Sequence, residues 1–316
     1  MLNLITSWRK AIVCVVPQLN HADYSLAKNF CPISLLECMG KLVKKLIACL
    51  LYRGIINHNL LPTNQFGGHM ASSTLDAGLM LLHNVQTAHA AGLCIGLLLF
   101  NIQGFFDNVN MEQLMQIIAD LGFAHELVWW TCAFLADQTV KLKFNGLTSD
   151  PFELDVGTPQ GSPISPVMAV LYTHSLLHKA EVHWTLLSMY VDDSTIFTCG
   201  CTWKDVETSL ASVYAACTLW LECSGLTAEP EKTELIFFRR QHEKEDPPGH
   251  IFLPLPVQNT YYKVTATHQL QYLGFFFDHK LHWDHHVEVM CNHTCTSIKA
   301  LQILRNSTQG LNFAQW

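Results

Sequence analysis

The chain has 316 residues, 49% of them hydrophobic and 14% charged, with a formal net charge of −7. That length and apolar content can bury a large core and suit one multi-lobed unit rather than several independent domains. No apolar run reaches the roughly 20 residues a bilayer crossing needs, and Met1 to Lys10 lacks the basic-then-apolar layout of a secretory leader, so an intracellular, non-secreted protein is expected.

In chain order, Trp8 to Pro17 predicts a strand, and Leu35 to Leu51 an amphipathic helix carrying its lysines on one face. Asn64-Gln65-Phe66-Gly67-Gly68 is a turn, after which Ser72 or Ser73 caps a helix running through Val85. Leu93 to Phe100 has the length and composition of a buried strand. Met111 to Leu121 and Ala124 to Leu135 are helical, and Val140 to Gly146 with Pro151 to Val156 suits a hairpin. A glycine- and proline-punctuated loop, Gly157 to Pro166, leads into a helical stretch from Val167 to Leu177. The apolar Trp184 to Met189 and the run Ser194-Thr195-Ile196-Phe197 flank Tyr190-Val191-Asp192-Asp193, a hairpin holding two carboxylates at its tip. Trp203 to Ser224 is a long helix stopped at Gly225, where glycine tolerates a left-handed backbone. Glu243 to Gly249 is an exposed loop between strands. Segregated helices and hairpins predict an α+β fold.

The twelve cysteines are scattered, several of them (Cys14, Cys49, Cys94, Cys132, Cys217) in apolar stretches, which suits buried thiols rather than a disulfide framework. Cys199-Gly200-Cys201 is too tight for a usual zinc pair. His282, His285, His286, Cys291, His293 and Cys295 match no common finger spacing and read as side chains of a helix. The acidic balance is unfavourable for a nucleic-acid binder, because such affinity rests largely on Lys and Arg neutralising phosphates. Its distribution is uneven. Residues 1–60 carry Arg9, Lys10, Lys28, Lys41, Lys44, Lys45 and Arg53 against Asp23 and Glu37, whereas Gly54 to Val140 has no Lys or Arg.

An aromatic residue, a small apolar residue and two aspartates is by itself most often a strand end. Joined to Gly157-Thr158-Pro159-Gln160-Gly161-Ser162-Pro163 some thirty residues upstream, it resembles the central blocks of reverse transcriptases of non-LTR (LINE-like) retroelements. Trp8 to Pro17, Asp23-Tyr24-Ser25, Asn29 to Leu36 and Gln65 to Gly68 resemble the family's fingers blocks. Tyr272-Leu273-Gly274-Phe275 resembles its primer-grip turn. The resemblance implies a right-hand polymerase fold with a central antiparallel palm sheet. Fingers would occupy residues 1–90, the palm 91–278 with a finger insertion near 115–150, and the start of a thumb 279–316. It also implies a fragment without endonuclease or RNase H regions, in the nucleus or cytoplasm.

What the family does is RNA-directed DNA synthesis, with an RNA or DNA template–primer and deoxynucleoside triphosphates as partners. Two divalent ions about 4 Å apart activate the primer 3′-oxygen and neutralise pyrophosphate. Mg²⁺ (or Mn²⁺) would take carboxylates from one strand end and one hairpin. Asp192 and Asp193 match the hairpin pair and would be the metal ligands. Aligned on Phe106-Asp107, Asn101 stands where the strand aspartate belongs, so the resemblance implies an impaired enzyme, a non-catalytic nucleic-acid-binding scaffold or a non-functional remnant. Asp107 is a poor substitute: six strand residues separate it from Asn101 by about 20 Å. Lys232 matches the lysine that protonates pyrophosphate, where a lone lysine is ordinarily an exposed charge. Phe106 matches the gate beneath the sugar, and composition alone reads it equally as a core phenylalanine. Gln160 and Gly161 match the loop against template and nucleotide. Cys31 replaces the arginine that grips triphosphate, and Gln18, His21 and His69 replace further basic residues. Lys41, Lys44 and Lys45 fall where fingers meet template and nucleotide.

Overall fold

The computed structural model describes residues 6–17, 23–26, 29–60, 62–68, 72–154, 156–179, 184–240 and 245–304. Gln18, His21, Lys28 and His69, and the first two residues of the 243–249 loop, lie outside them. A short 3-10 turn, Thr6–Arg9, leads into β1 (Lys10–Pro17), then β2 (Phe30–Leu36), α1 (Cys38–Asn57) and α2 (Thr74–Ala90). The central strand β3 (Cys94–Asn101) is followed by α3 (Phe105–Asn108), α4 (Met111–Asp120) and α5 (His125–Leu135). Next come β4 (Gln138–Phe144), β5 (Leu147–Thr148), β6 (Phe152–Leu154), α6 (Ser165–Lys179), β7 (Thr185–Tyr190), β8 (Asp193–Gly200) and α7 (Trp203–Cys223). Strands β9 (Glu234–Phe238), β10 (His250–Leu255), β11 (Thr260–Thr267), β12 (Gln269–Tyr272) and β13 (Phe275–Asp278) precede α8 (Asp284–Leu304).

The six-stranded sheet runs β10-β11-β9-β3-β8-β7, antiparallel except where β11 meets β9. Leu97 and Leu98 of β3 are both fully buried, although successive strand residues point to opposite faces. Both faces are therefore covered. On one side Leu98 and Phe100 pack with Val206, Leu210 and Tyr214 of α7 and with Leu171 and Tyr172 of α6. On the other, Ile95 and Leu97 pack with Ala77, Leu81 and Val85 of α2. This explains why β3 reads as a continuous apolar run with no polar alternation.

Local signals set the helix starts. Ser73 accepts the Asp76 amide while Asp76 accepts the Ser73 amide, and Thr202 and Asp205 repeat the arrangement on α7, so both helices open on a capping box. α7 ends before Gly225, whose φ is 73°.

A second sheet runs β2-β1-β4-β5, with β6 also on β4. It corrects the expectation of a helix from Leu35: Phe30–Leu36 is a strand antiparallel to β1, and the helix begins at Cys38. Backbone pairing with β1 outweighs the helical spacing of the leucines. Nor do the α1 lysines share a solvent face. Lys44 is buried, Lys41 half-buried and Lys45 exposed, while Met39, Leu42, Leu46 and Leu50 face solvent. The same rotation of α1 leaves Cys49 exposed, and Cys132 on α5 is exposed too, although Cys94 and Cys217 are buried as their surroundings suggested. Among the described residues no helix is long and apolar enough to cross a membrane.

Candidate functional site

The site starts from a strained turn. β7 and β8 are joined by Val191 and Asp192 alone, with Tyr190 paired to Asp193. Val191 has a φ of 62°, a left-handed conformation that a β-branched side chain rarely adopts. Such strain costs on the order of 1–3 kcal/mol and persists only where neighbours over-determine it. Those neighbours are present. The Met189 amide donates to Asn64 O at 3.1 Å, and the Phe66 amide to Met189 O at 2.9 Å. The next residue, Gly67, lies so close that a Cβ there would stand 2.4 Å from Val191 N. From the other side the Ile102 amide donates to Asp192 O at 3.2 Å. The turn is clamped between the 64–67 loop and the end of β3.

β3 ends at Asn101, the register partner of Asp193. The amide thus stands across from one carboxylate and shares a cavity of about 440 Å³ with the other, Asp192. Burial pushes both carboxyls up, Asp193 to about 6 with the Asp192 charge as second cause; the Lys232 ammonium pulls both the other way without overcoming burial. Lys232 lines this cavity and a second one of about 310 Å³ that reaches Asp193 and the β12–β13 turn. That turn has φ of 48° at Leu273 and 89° at Gly274, as a two-residue hairpin turn with both central residues left-handed requires.

The opposite wall is stapled by the 157–161 loop. Thr158 donates its amide to Phe106 O at 2.6 Å, and Ser34 donates to Gln160 O at 2.8 Å, so the loop ties α3 to β2. Gly161 has a φ of 106°, and a Cβ there would meet Ser34 O at 2.9 Å; no other residue fits both demands. Phe106 is half-buried on the cavity wall, and the Cys31 thiol lies 3.7 Å from Gln160 Oε1. Asp107 also lines the cavity, but on α3, beyond the left-handed Gly104 that turns the chain out of β3.

The structure brings Asn101, Asp192, Asp193, Lys232, Phe106, Gln160, Gly161 and Cys31 around one region. It does not bring Lys44 there. Lys44 is 2% exposed; its ammonium donates to Trp8 O at 3.0 Å and lies 4.4 Å from the Phe134 ring centroid. Desolvation lowers its pKa to about 8. Its role is to pin α1 to the 3-10 turn and α5, and the expectation of a template contact is corrected on that ground. Sequence reading missed Lys141 and Lys143. Parallel pairing sets Ile12 beside Lys141 and Cys14 beside Lys143, with Lys10 two residues earlier on β1. The other face of this sheet buries Ala11, Val13 and Val140, so Lys10, Lys141 and Lys143 lie exposed on the outer one. The alternation Lys141-Leu142-Lys143 was the available signal; the distant partner strand was not.

Glu229 was missed as well. Its amide donates to Asn101 O at 2.9 Å, and its carboxylate lies 2.9 Å from the Lys232 ammonium. The histidines expected on the last helix divide. His285 and His286 pack against Phe275 and Phe276 at ring-centroid distances of 5.2–6.3 Å, while His293, Cys291 and Cys295 are exposed.

Residues 20–277 match the family described as reverse transcriptase (RNA-dependent DNA polymerase). The chain is 23% identical over 308 residues to the probable RNA-directed DNA polymerase from transposon BS of Drosophila melanogaster, covering 95% of this chain and 33% of that one. It is 22% identical over 294 residues to the RNA-directed DNA polymerase from mobile element jockey of the same organism, covering 89% and 30%. It therefore spans about a third of the length of these relatives. Among solved structures, telomerase from Candida tropicalis bound to a fragment of telomeric RNA superposes with a TM-score of 0.60 at 12% identity, over 89% of this chain and 46% of that one. At that identity the likeness is one of fold, a right-hand polymerase architecture with its antiparallel sheet.

Proposed function

Because this chain belongs to the reverse transcriptase (RNA-dependent DNA polymerase) family, with non-LTR retrotransposon polymerases as relatives, we propose that it binds a template–primer but extends it poorly. In this reading residues 1–90 supply fingers, 91–278 the palm with a finger insertion near 115–150, and 279 onward the start of a thumb. An RNA or DNA template crosses the Lys10–Lys141–Lys143 face, the primer end meets the Leu273 turn, and a deoxynucleoside triphosphate enters the cavity beside Phe106 and Gln160. The protein works inside the cell, in nucleus or cytoplasm.

The observation that carries impairment is Asn101. The family's chemistry uses divalent cations, Mg²⁺ or Mn²⁺, held by carboxylates. Asp192 and Asp193 are present, but among the described residues no group of three His, Cys, Asp or Glu side chains is placed to hold a metal ion. An amide oxygen brings no negative charge. The donor set therefore does not fit a two-ion site. A second reading, a nucleic-acid-binding scaffold without chemistry, is favoured by the same residue together with Cys31. Primer extension in Mg²⁺ and in Mn²⁺, read beside primer–template binding, tests both. Binding without extension supports the scaffold, slow extension supports the impaired enzyme, and robust extension by the unaltered chain overturns both.

A further inference from the structure

We propose that Glu229 is an internal competitor for phosphate: by holding the Lys232 ammonium it withholds the cation that a triphosphate entering the large cavity needs. The inference rests on reading that cavity as the nucleotide site. Among the described residues lining it, Lys232 is the one cation, while Asp107, Asp192 and Glu229 all present carboxylates. The wall opposite offers the Cys31 thiol, already turned toward Gln160, and no charge.

The ion pair is built into the backbone rather than formed by two wandering side chains. Residues 227–229 run beside the end of β3: Gln103 donates its amide to Thr227 O at 2.9 Å, Ile102 pairs with Ala228, and Glu229 donates to Asn101 O at 2.9 Å. Pro230 then opens a 3-10 turn, and the Lys232 amide returns to Glu229 O at 3.1 Å. This sets the two side chains three residues apart on one turn, Nζ to Oε2 2.9 Å. The Glu229 side chain is 17% exposed and that of Lys232 42%, so the carboxylate is partly shielded while the ammonium stays open to solvent, salt and an incoming anion. A phosphate chain must displace this carboxylate from Lys232 and also meet its repulsion. Glu229 thus acts through Lys232, as a positioning residue that sets anion affinity.

The test is calorimetric titration of the full chain with inorganic tripolyphosphate in EDTA, where no divalent ion contributes. Glu229→Gln should tighten binding about fivefold, the scale of one partly screened ion pair. In a Lys232→Gln background the same change should have about a twofold effect, because the coupling between the two residues is gone. Unchanged or weaker binding by Glu229→Gln, or an equal gain in both backgrounds, overturns the inference. Should Glu229→Gln fail to fold by circular dichroism, Glu229→Ala is read in its place with the same outcomes. Salt-dependent primer–template binding, measured on the same samples, separates the two levels. If it persists while tripolyphosphate affinity ignores Glu229, only the Glu229 inference fails; if the unaltered chain does not bind primer–template, the nucleic-acid reading fails.

Discussion

Asn101 and Asp193 face each other as the last register pair between β3 and β8, and the main chain beyond them is closed by the Ile102 amide on Asp192 O. A carboxylate in place of that amide would put three acidic side chains around one strand end. As it stands, the unaltered chain should extend a primer at least ~10³-fold more slowly than an intact relative, a barrier difference of about 4 kcal/mol. Asn101→Asp should raise Mn²⁺ affinity, read by electron paramagnetic resonance, and recover part of the extension rate. Asn101→Asp with Cys31→Arg should exceed either single variant, since a guanidinium fork grips phosphate bidentately. A double variant no faster than Asn101→Asp would remove Cys31 from the nucleotide wall.

The second expectation concerns pH. Burial raises Asp193 to about 6, above its value in the unfolded chain, so the folded protein binds more protons in the window between about 4 and 6. Stability falls as pH rises through that window, because the buried carboxyl must ionise. Asp193→Asn removes this cost. Its melting temperature should exceed that of the unaltered chain at pH 8 and match it near pH 4. Equal melting temperatures at both values would show that the carboxyl is not desolvated in solution.

Nucleic-acid affinity should depend on the outer face of the smaller sheet. Replacing Lys10, Lys141 and Lys143 with glutamine should weaken primer–template binding and lower its salt slope by up to about 3, roughly one counterion per lost phosphate contact. Lys44→Gln should leave the slope unchanged and lower stability, because the lost group is a buried donor to Trp8 O. A salt slope altered by Lys44→Gln and not by the triple variant would move the interface to α1.

Gly67→Ala should destabilise the fold by at least about 2 kcal/mol in urea unfolding, the scale of overpacking against atoms that cannot yield. The obstacle is space, since the added Cβ would press on the Val191 and Tyr190 backbone. Gly249→Ala is the control: a Cβ there meets nothing within 4 Å, and the change should stay within about 0.5 kcal/mol. Comparable losses at the two positions would argue against the clamp.

Local interactions made much of this molecule legible in its sequence. The capped helices α2 and α7, the buried strand β3 and the hairpin carrying Asp192 and Asp193 each announce themselves within a window of twenty residues. What escaped depends on partners far along the chain. Phe30–Leu36 becomes a strand because β1 lies beside it. Lys44 is buried because Trp8, 36 residues earlier, offers a carbonyl and Phe134 a ring. The exposed face of Lys141 and Lys143 acquires its neighbours from a parallel register with β1, which no short pattern encodes. Glu229 carries no signal in its own window; the bridge between Ala228 and Ile102 and its amide on Asn101 O are what set it beside the site.

That parallel pairing also bears on how the chain acquires its shape during synthesis. β1 is the middle strand of its sheet, yet one of its two neighbours is β4, and the Arg9–Asp137 ion pair beside their junction joins residues 128 positions apart. While β2 can pair with β1 early, the opposite edge of β1 stays open until the ribosome has delivered β4. An apolar strand edge waiting that long is a template for the wrong partner. A polypeptide released before Gln138 would carry that edge unprotected, so premature termination should yield aggregates rather than a soluble half, and a chaperone's window of action on this protein closes only when β4 has docked.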